Sequence, residues 1–473
     1  MSGTHTVEKD PSSNYNSPVE VPPNTAIGED GLPIPSQPTT TVEPSPEVQP
    51  TAVGEDGLPL NPPVPDESQP TAVGEDGLPI PDASGGGTTP SETPPPSPEP
   101  APPVSEAPKS PEQPSSMFDV ITGTAEGETI TGTDNPDLIF ALAGNDIINA
   151  LAEADVVFAG EGDDQANGDA GNDLLFGDEG ADKLNGGADN DVLLGGVGND
   201  TIDGGAGFDL MIGGEGDDRL IWNNGDGSDY LIGGAGLDIA EINGAPTDGN
   251  VFSLIAEGNQ TLFERTNLKP FTKLADGVEQ YVVNGGTGND SFKVGDLSAA
   301  EIEQVTFTAG AGRDAFDGSA STTALTAFGD SGRDALVGGS AADKLDGGKG
   351  ADWISGGAGA NELTGGEGED GFVLQLPKAG EGFDTITDFE GAADAFYVSK
   401  ALFGELDAAI ALPLSGSQFK VGESATEAGA QFIYNNQSGG LFYDSDGATG
   451  AEQVQVAALT PGLELNNSNF FVV

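Results

Sequence analysis

From residue 137 the chain keeps a fixed beat of apolar positions, one every nine residues: Ile139, Ile148, Val157, Ala166, Leu175, Leu184, Leu193, Ile202, Met211 and Leu220. Two residues before each stands an aspartate, in the series Asp137, Asp146, Asp155, Asp164, Asp173, Asp182, Asp191, Asp200, Asp209 and Asp218. A period of nine fits neither the 3.6 of a helix nor the strict alternation of a long strand. It predicts a short strand of three residues, such as Leu174, Leu175 and Phe176, followed by a turn of six. Two such units close one flattened coil of eighteen residues, and the coils stack with their apolar positions inward. A disordered acidic tract would share the composition but would not hold ten aspartates in one register.

Glycines fill the turns, five, four and two places before the aspartate, as in GGVGNDTID (195–203), GGAGFDLMI (204–212) and GGEGDDRLI (213–221). The pattern is G-G-x-G-x-D-x-U-x. In these repeats the chain resembles the RTX (haemolysin-type) calcium-binding repeat family. The resemblance implies an all-β fold, a parallel β-roll solenoid, holding several Ca2+ ions. Elementary chemistry agrees. Glycine gives the turn backbone angles that other residues resist, and calcium takes six to eight oxygens from carboxylates and carbonyls.

The candidate ligands are Asp164, Asp173, Asp182, Asp191, Asp200, Asp209, Asp218 and Asp238, with Asp334, Asp343, Asp352 and Asp370 further on. The turn glycines Gly171, Gly180, Gly196, Gly198, Gly205, Gly207, Gly214, Gly216, Gly348 and Gly350 join them. With eighteen residues per coil, each ion is expected between stacked turns, shared by aspartates eighteen apart, such as Asp164 and Asp182 or Asp173 and Asp191.

Charge sharpens this reading. The chain has 473 residues, with 79 acidic against 15 basic side chains and a formal net charge of -64. That balance excludes nucleic acid and anionic membranes as partners. It also makes the metal-free compact state repel itself, so ion binding and folding should be coupled. Cysteine is absent and histidine occurs once, at His5. No apolar run has the length of a membrane span, and the first residues lack the apolar core of a secretory leader.

Five segments follow from the patterning. Residues 1–116 hold all but six of the 34 prolines and a looser repeat, TAVGEDGLPIP, and are expected to form a disordered stalk. A first roll block covers 117–244, its first turns expected to act as a cap with weak or absent metal. Asp155 follows ALAEA rather than glycines, and Asp137 follows Pro136. Residues 245–327 read as a β-rich spacer in which GGTGND (285–290) and AGAGRD (309–314) are isolated turns. A second roll block covers 328–373, where Asn361 replaces a charged ligand and should weaken its site. Residues 374–473 form a β-rich cap, with a hairpin predicted around Phe432–Tyr434 and Leu441–Tyr443. The ending LNNSNFFVV resembles the C-terminal signal of type I secretion substrates, and a strand on the edge of a sheet is its plainer reading.

Catalysis is not expected. A chain whose one histidine is His5 supplies neither HExxH nor a Ser-His or Cys-His pair. The expected protein is secreted, extracellular or on the cell surface, and folds on extracellular calcium. Its expected partners are calcium ions, a type I exporter, and a cell-surface polysaccharide or surface layer. The alternative is a secreted enzyme or toxin-like effector that uses the roll for folding and export.

Overall fold

The computed structural model describes residues 118–268, 271–378, 380–404, 406, 412–448, 450 and 452–473. The expected proline-rich stalk lies outside them. Among the described residues there is no α-helix, only strands and one three-residue 3-10 turn at Asn467–Asn469. The fold is an all-β parallel roll.

Two sheets face each other across a core one side chain thick per strand. Sheet A begins with Asp119–Thr122, Asp137–Phe140, Val156–Glu161, Leu174–Glu179, Val192–Val197, Leu210–Glu215 and Tyr230–Ala235, all parallel. Sheet B begins with Thr129–Thr131, Ile147–Asn149, Gln165–Ala170, Lys183–Ala188, Thr201–Ala206, Arg219–Asn223 and Ile239–Asn243. Register pairs Leu174 with Val192 and Lys183 with Thr201, eighteen residues apart. Between the sheets lie Val157, Leu175, Leu193 and Met211 from one side and Ala166, Leu184, Ile202 and Leu220 from the other, all buried.

One expectation needs correction. From Val156–Glu161 to Leu210–Glu215 the strands are six residues long rather than three, because the pairing continues into the turns, while the first four keep three or four. Asp178 pairs with Gly196 and Glu179 with Val197, so turn glycines also serve as ladder residues. In the second block the strands do shorten to three residues, as in Ala335–Val337 and Lys344–Asp346.

The segment 245–327 is woven into both sheets. In sheet A the path from Tyr230–Ala235 to Ser291–Val294 runs through Phe271–Asp276, Gln260–Arg265 and Val251–Glu257, the middle strand antiparallel to the other two. In sheet B the path from Ile239–Asn243 to Gln304–Gly312 needs only Gln280–Thr287. Sheet A therefore gains two strands here, about 10 Å at ~4.8 Å per strand, and the sheets splay into a wedge. Large side chains fill it: Trp222, Phe252, Phe263, Phe271, Tyr281 and Phe292 are buried and in mutual ring contact. Beyond the wedge both sheets continue through the second block.

At the far end Gln431–Tyr434 and Gly440–Asp444 pair antiparallel, as the hairpin pattern predicts. Sheet A closes on Phe470–Val472, parallel to Ala395–Val398. The apolar ending is thus the edge strand of that sheet.

Candidate metal centre

Each repeat's aspartate lies on one edge of the roll, buried at the start of a strand. Those leading into sheet A run Asp155, Asp173, Asp191, Asp209, and those leading into sheet B run Asp146, Asp164, Asp182, Asp200, Asp218, Asp238. One carboxylate oxygen is always used in the same way. The Asp164 N–H donates to Asp182 Oδ1 at 2.8 Å, Asp182 to Asp200 Oδ1 at 2.8 Å, and Asp173 to Asp191 Oδ1 at 2.8 Å. Aspartates eighteen apart are therefore stacked neighbours. After the two-residue insertion at 223–228 the step lengthens to twenty, and the same bond joins Asp218 to Asp238 at 2.8 Å.

The other oxygen has no donor. Oδ2 of Asp146, Asp155, Asp164, Asp173, Asp182, Asp191, Asp200, Asp209, Asp218 and Asp238 is buried and unpartnered, and so is Oδ2 of Asp290, Asp314, Asp334, Asp352 and Asp370. A buried carboxylate oxygen without a donor is costly. Burial, more than the neighbouring aspartates, pushes the carboxyls of Asp155, Asp182, Asp191, Asp209, Asp218 and Asp334 up to about 7.

Backbone oxygen converges on the same place. Where the first residue of a turn is glycine, as at Gly177, Gly186, Gly329 and Gly347, it leaves a hollow into which the aspartate and a carbonyl of the next coil point. A methyl group built on Gly329 would lie 2.6 Å from both Asp334 Oδ2 and the Gly347 carbonyl oxygen, and one on Gly347 2.6 Å from Asp352 Oδ2 and 2.8 Å from Gly365 O. Gly177 sits in the same relation to Asp182 and Gly195, and Gly186 to Asp191 and Gly204. Among the described residues no three acidic, histidine or cysteine side chains converge. Each centre is instead one carboxylate plus main-chain carbonyls, a hard-oxygen donor set that fits calcium and excludes soft metals.

The second and fourth turn positions need left-handed backbone. Gly180, Gly196, Gly198, Gly205, Gly214, Gly216, Gly348 and Gly350 all have φ between 81° and 143°, while Gly171 reaches 150°. Gly207 does not adopt a positive φ; it is glycine because a side chain there would run into the Asp189 carbonyl. Elsewhere the conformation is imposed on other residues, at Leu142 and Leu151 (both φ 85°), Glu153 (67°) and Asp178 (72°). The ALAEA turn before Asp155 thus takes the same shape as its neighbours, and Asp146 and Asp155 expose the same unpartnered oxygen. Only Asp137 of the early turns is satisfied, by the Thr133 N–H at 2.6 Å on Oδ2.

Three further departures concern particular residues. Asp290 and Asp314 are not isolated: Asp290 N–H donates to Asp314 Oδ1 at 2.6 Å and Asp314 N–H to Asp334 Oδ1 at 2.8 Å, so they continue the edge that Asp334, Asp352 and Asp370 complete. Asp343 is different. Its Oδ2 accepts the Gly339 N–H at 2.6 Å and its Oδ1 the Leu325 N–H at 2.9 Å, leaving no free oxygen. Unlike Gly187, Gly196 and Gly348 at the same place in their turns, Gly339 is not left-handed, and it turns its amide into the carboxylate. Asn361 spends its oxygen on the Asp343 N–H and its Nδ2 on Asp384 Oδ1, at 2.9 and 2.8 Å. In the second block the free oxygens therefore line one edge only.

A ladder not foreseen from the sequence runs beside the first. The residue before each aspartate offers its side-chain oxygen to the amide one coil on: Asp163 to Ala181 N–H at 3.0 Å, Asn190 to Phe208 at 2.9 Å, Asn199 to Asp217 at 3.0 Å. Its signal was the recurrent ND and DD before each strand.

Stacked coils with one free carboxylate oxygen and one aimed carbonyl per turn define a parallel β-roll of the calcium-binding kind. The RTX calcium-binding nonapeptide repeat model matches residues 122–157, 158–193, 194–221, 328–363 and 337–372, so these stretches are RTX calcium-binding repeats. No curated protein matches the chain. No helix among the described residues is long and apolar enough to cross a membrane.

Proposed function

We propose that the protein is a secreted structural component that leaves the cell unfolded, through a type I exporter, and condenses outside as calcium fills its turns. The observation that carries this reading is the pair of rows of buried, donorless Oδ2 atoms. Without a cation they are a liability repeated at every coil. With one, each becomes a link between coils. Turns of extracellular-module affinity, roughly 10⁻⁴–10⁻³ M, stay empty where calcium is scarce, so folding waits until export is complete.

Outside, the reading is a matrix or surface-layer component, and the outer face of sheet A favours it. Its outward positions are Leu138, Val156, Leu174, Val192, Leu210 and Tyr230 in one column and Phe140, Phe158, Phe176, Leu194, Ile212 and Ile232 in the next. Phe140, Phe158 and Phe176 stack with centroids 5.2 and 4.7 Å apart. Sheet B, built on the same repeat, turns out Gln165, Lys183, Thr201 and Arg219 beside Asn149, Asn167, Asn185 and Asp203. Six strands at ~4.8 Å give an uncharged strip of about 400 Å², in the range of functional patches.

The test is circular dichroism of the metal-stripped chain titrated with calcium, then with chelator. A cooperative, reversible gain of β signal near millimolar calcium, not reproduced by magnesium, is the expected result. A chain already folded in chelator would remove the driving force for condensation after export.

A further inference from the structure

Along the edge leading into sheet A, every turn aspartate from Asp155 to Asp370 has a free Oδ2 except at the wedge. There the residues in that place are Asp229 and Asn250, and each meets a buried protein cation. The turn NGDGSD (224–229) looks like a metal turn: Gly225 has a φ of 126° and Asp229 Oδ1 accepts the Asp209 N–H at 3.1 Å. Its hollow, however, is filled. Asn224 stands where other turns have their first glycine, and Arg265 Nη1 donates to its Oδ1 at 2.7 Å. The Lys273 ammonium forms an ion pair with Asp229 Oδ2, their side chains 2 % and 1 % exposed.

At Asn250 the exchange is complete. Its Nδ2 donates to the Gly285 carbonyl at 3.0 Å, placing a donor where an aspartate would bring a second oxygen. Its Oδ1 accepts from Arg265 at 3.3 Å. Both cations lie against the same two rings, Arg265 at 5.2 and 5.1 Å and Lys273 at 5.4 and 5.7 Å from the centroids of Trp222 and Phe271. That aromatic contact offsets part of the cost of burying them.

We infer that Lys273, with Arg265 beside it, is a tethered cation that takes the place of calcium at this turn, making the roll two calcium-dependent arms joined by a metal-independent centre. The residues present do not fit a metal here, since an ammonium already neutralises the one free carboxylate. The inference rests on calcium folding the arms. It adds that the aromatic wedge, where Asp229 is paired with Lys273, Asn250 brings no charge and only Asp238 and Asp290 at its margins keep a free oxygen, is the part that stands before calcium arrives and on which both arms condense.

The test is hydrogen exchange with peptide resolution on the full chain, in chelator and in saturating calcium. In chelator, amides of 222–292 are expected to exchange at least ~100-fold more slowly than those of 156–212 and 331–372, and calcium should close that gap. Lys273→Met should make protection of the centre calcium-dependent, and adding Asp229→Asn to it should restore protection in chelator, because the unpaired carboxylate is gone. Arms that gain protection with calcium beside a centre as open as they are in chelator would overturn the inference. So would a Lys273→Met centre that stays protected without metal. Arms already protected in chelator would instead overturn the calcium-driven reading of the roll.

Discussion

At the scale of single residues the roll turns on what one oxygen lacks. In each aspartate of the rows Oδ1 is fixed by an amide and Oδ2 is left for a cation, so proton and calcium compete for the same atom. The sign follows from the shifts. The carboxyls of Asp182, Asp191 and Asp218 are raised by burial from 3.8 to about 7, so the folded, metal-free chain holds protons that the unfolded chain has lost. Their contribution to metal-free stability is present below about pH 4 and disappears as pH rises through about 7. Metal-stripped protein is therefore expected to gain β signal on acidification from pH 8 to pH 5, and the calcium concentration at half-folding to fall over the same interval, even as protons weaken calcium's hold on the folded turns. A metal-free fold that is most stable at pH 8 would contradict the burial of these groups. The aspartates themselves were legible from their spacing. That Asp343 is disarmed was not legible from its turn, since Glu153 and Asp189 also replace the last glycine and yet leave Asp155 and Asp191 with a free Oδ2.

At the scale of the turn and its strands, glycine acts in two distinct ways, and only one was evident from the pattern. The second and fourth positions need left-handed backbone, which Leu151, Glu153 and Asp178 also accept. The first position has an ordinary φ, and where it is glycine the hollow has no room for a methyl, whereas the turns before Asp146, Asp155, Asp164 and Asp314 are built around Ala141, Ala150, Ala159 and Ala309. Gly329→Ala is a clean probe of that role, because its methyl would enter the hollow between Asp334 Oδ2 and the Gly347 carbonyl without straining the backbone. Calorimetry is expected to find at least one calcium fewer than in the parent chain, whereas Gly258→Ala, with open space around it, should cost only its left-handed φ of 69° and leave stoichiometry unchanged. Equal stoichiometry in Gly329→Ala would mean the hollow is not the ion's place. Strand length was less legible than turn chemistry. The periodicity marks where apolar side chains point, but inter-coil pairing through Gly196 and Val197 depends on the next coil and has no trace in one repeat.

At the scale of the whole roll, the repeat dictates the inside and leaves the outside free, so the difference between the two outer faces carries information that the core does not. Leu175 and Leu184 must be apolar for coils to stack. Phe158, Phe176 and Leu194 need not be, as Asn167 and Asn185 show on sheet B. The wedge was similarly hidden, because strands 251–257, 260–265 and 271–276 alternate like ordinary β sequence and nothing local says they enter one sheet and not the other. A flat, uncharged strip on a chain of net charge -64 is best matched by the same strip on a second copy, which has the same rung spacing and no charge to bury. Two strips of about 400 Å² would bury close to 800 Å², the area of a weak contact, so association is expected only at high local concentration and only once calcium has formed the sheet. Phe158→Glu puts a carboxylate in the middle of the aromatic stack while leaving the turns untouched. In calcium it should fold as the parent does by circular dichroism, yet sediment as a monomer at concentrations where the parent self-associates. Asn167→Glu, on the opposite face, should behave like the parent, and a parent chain that stays monomeric throughout would deny sheet A its role in assembly.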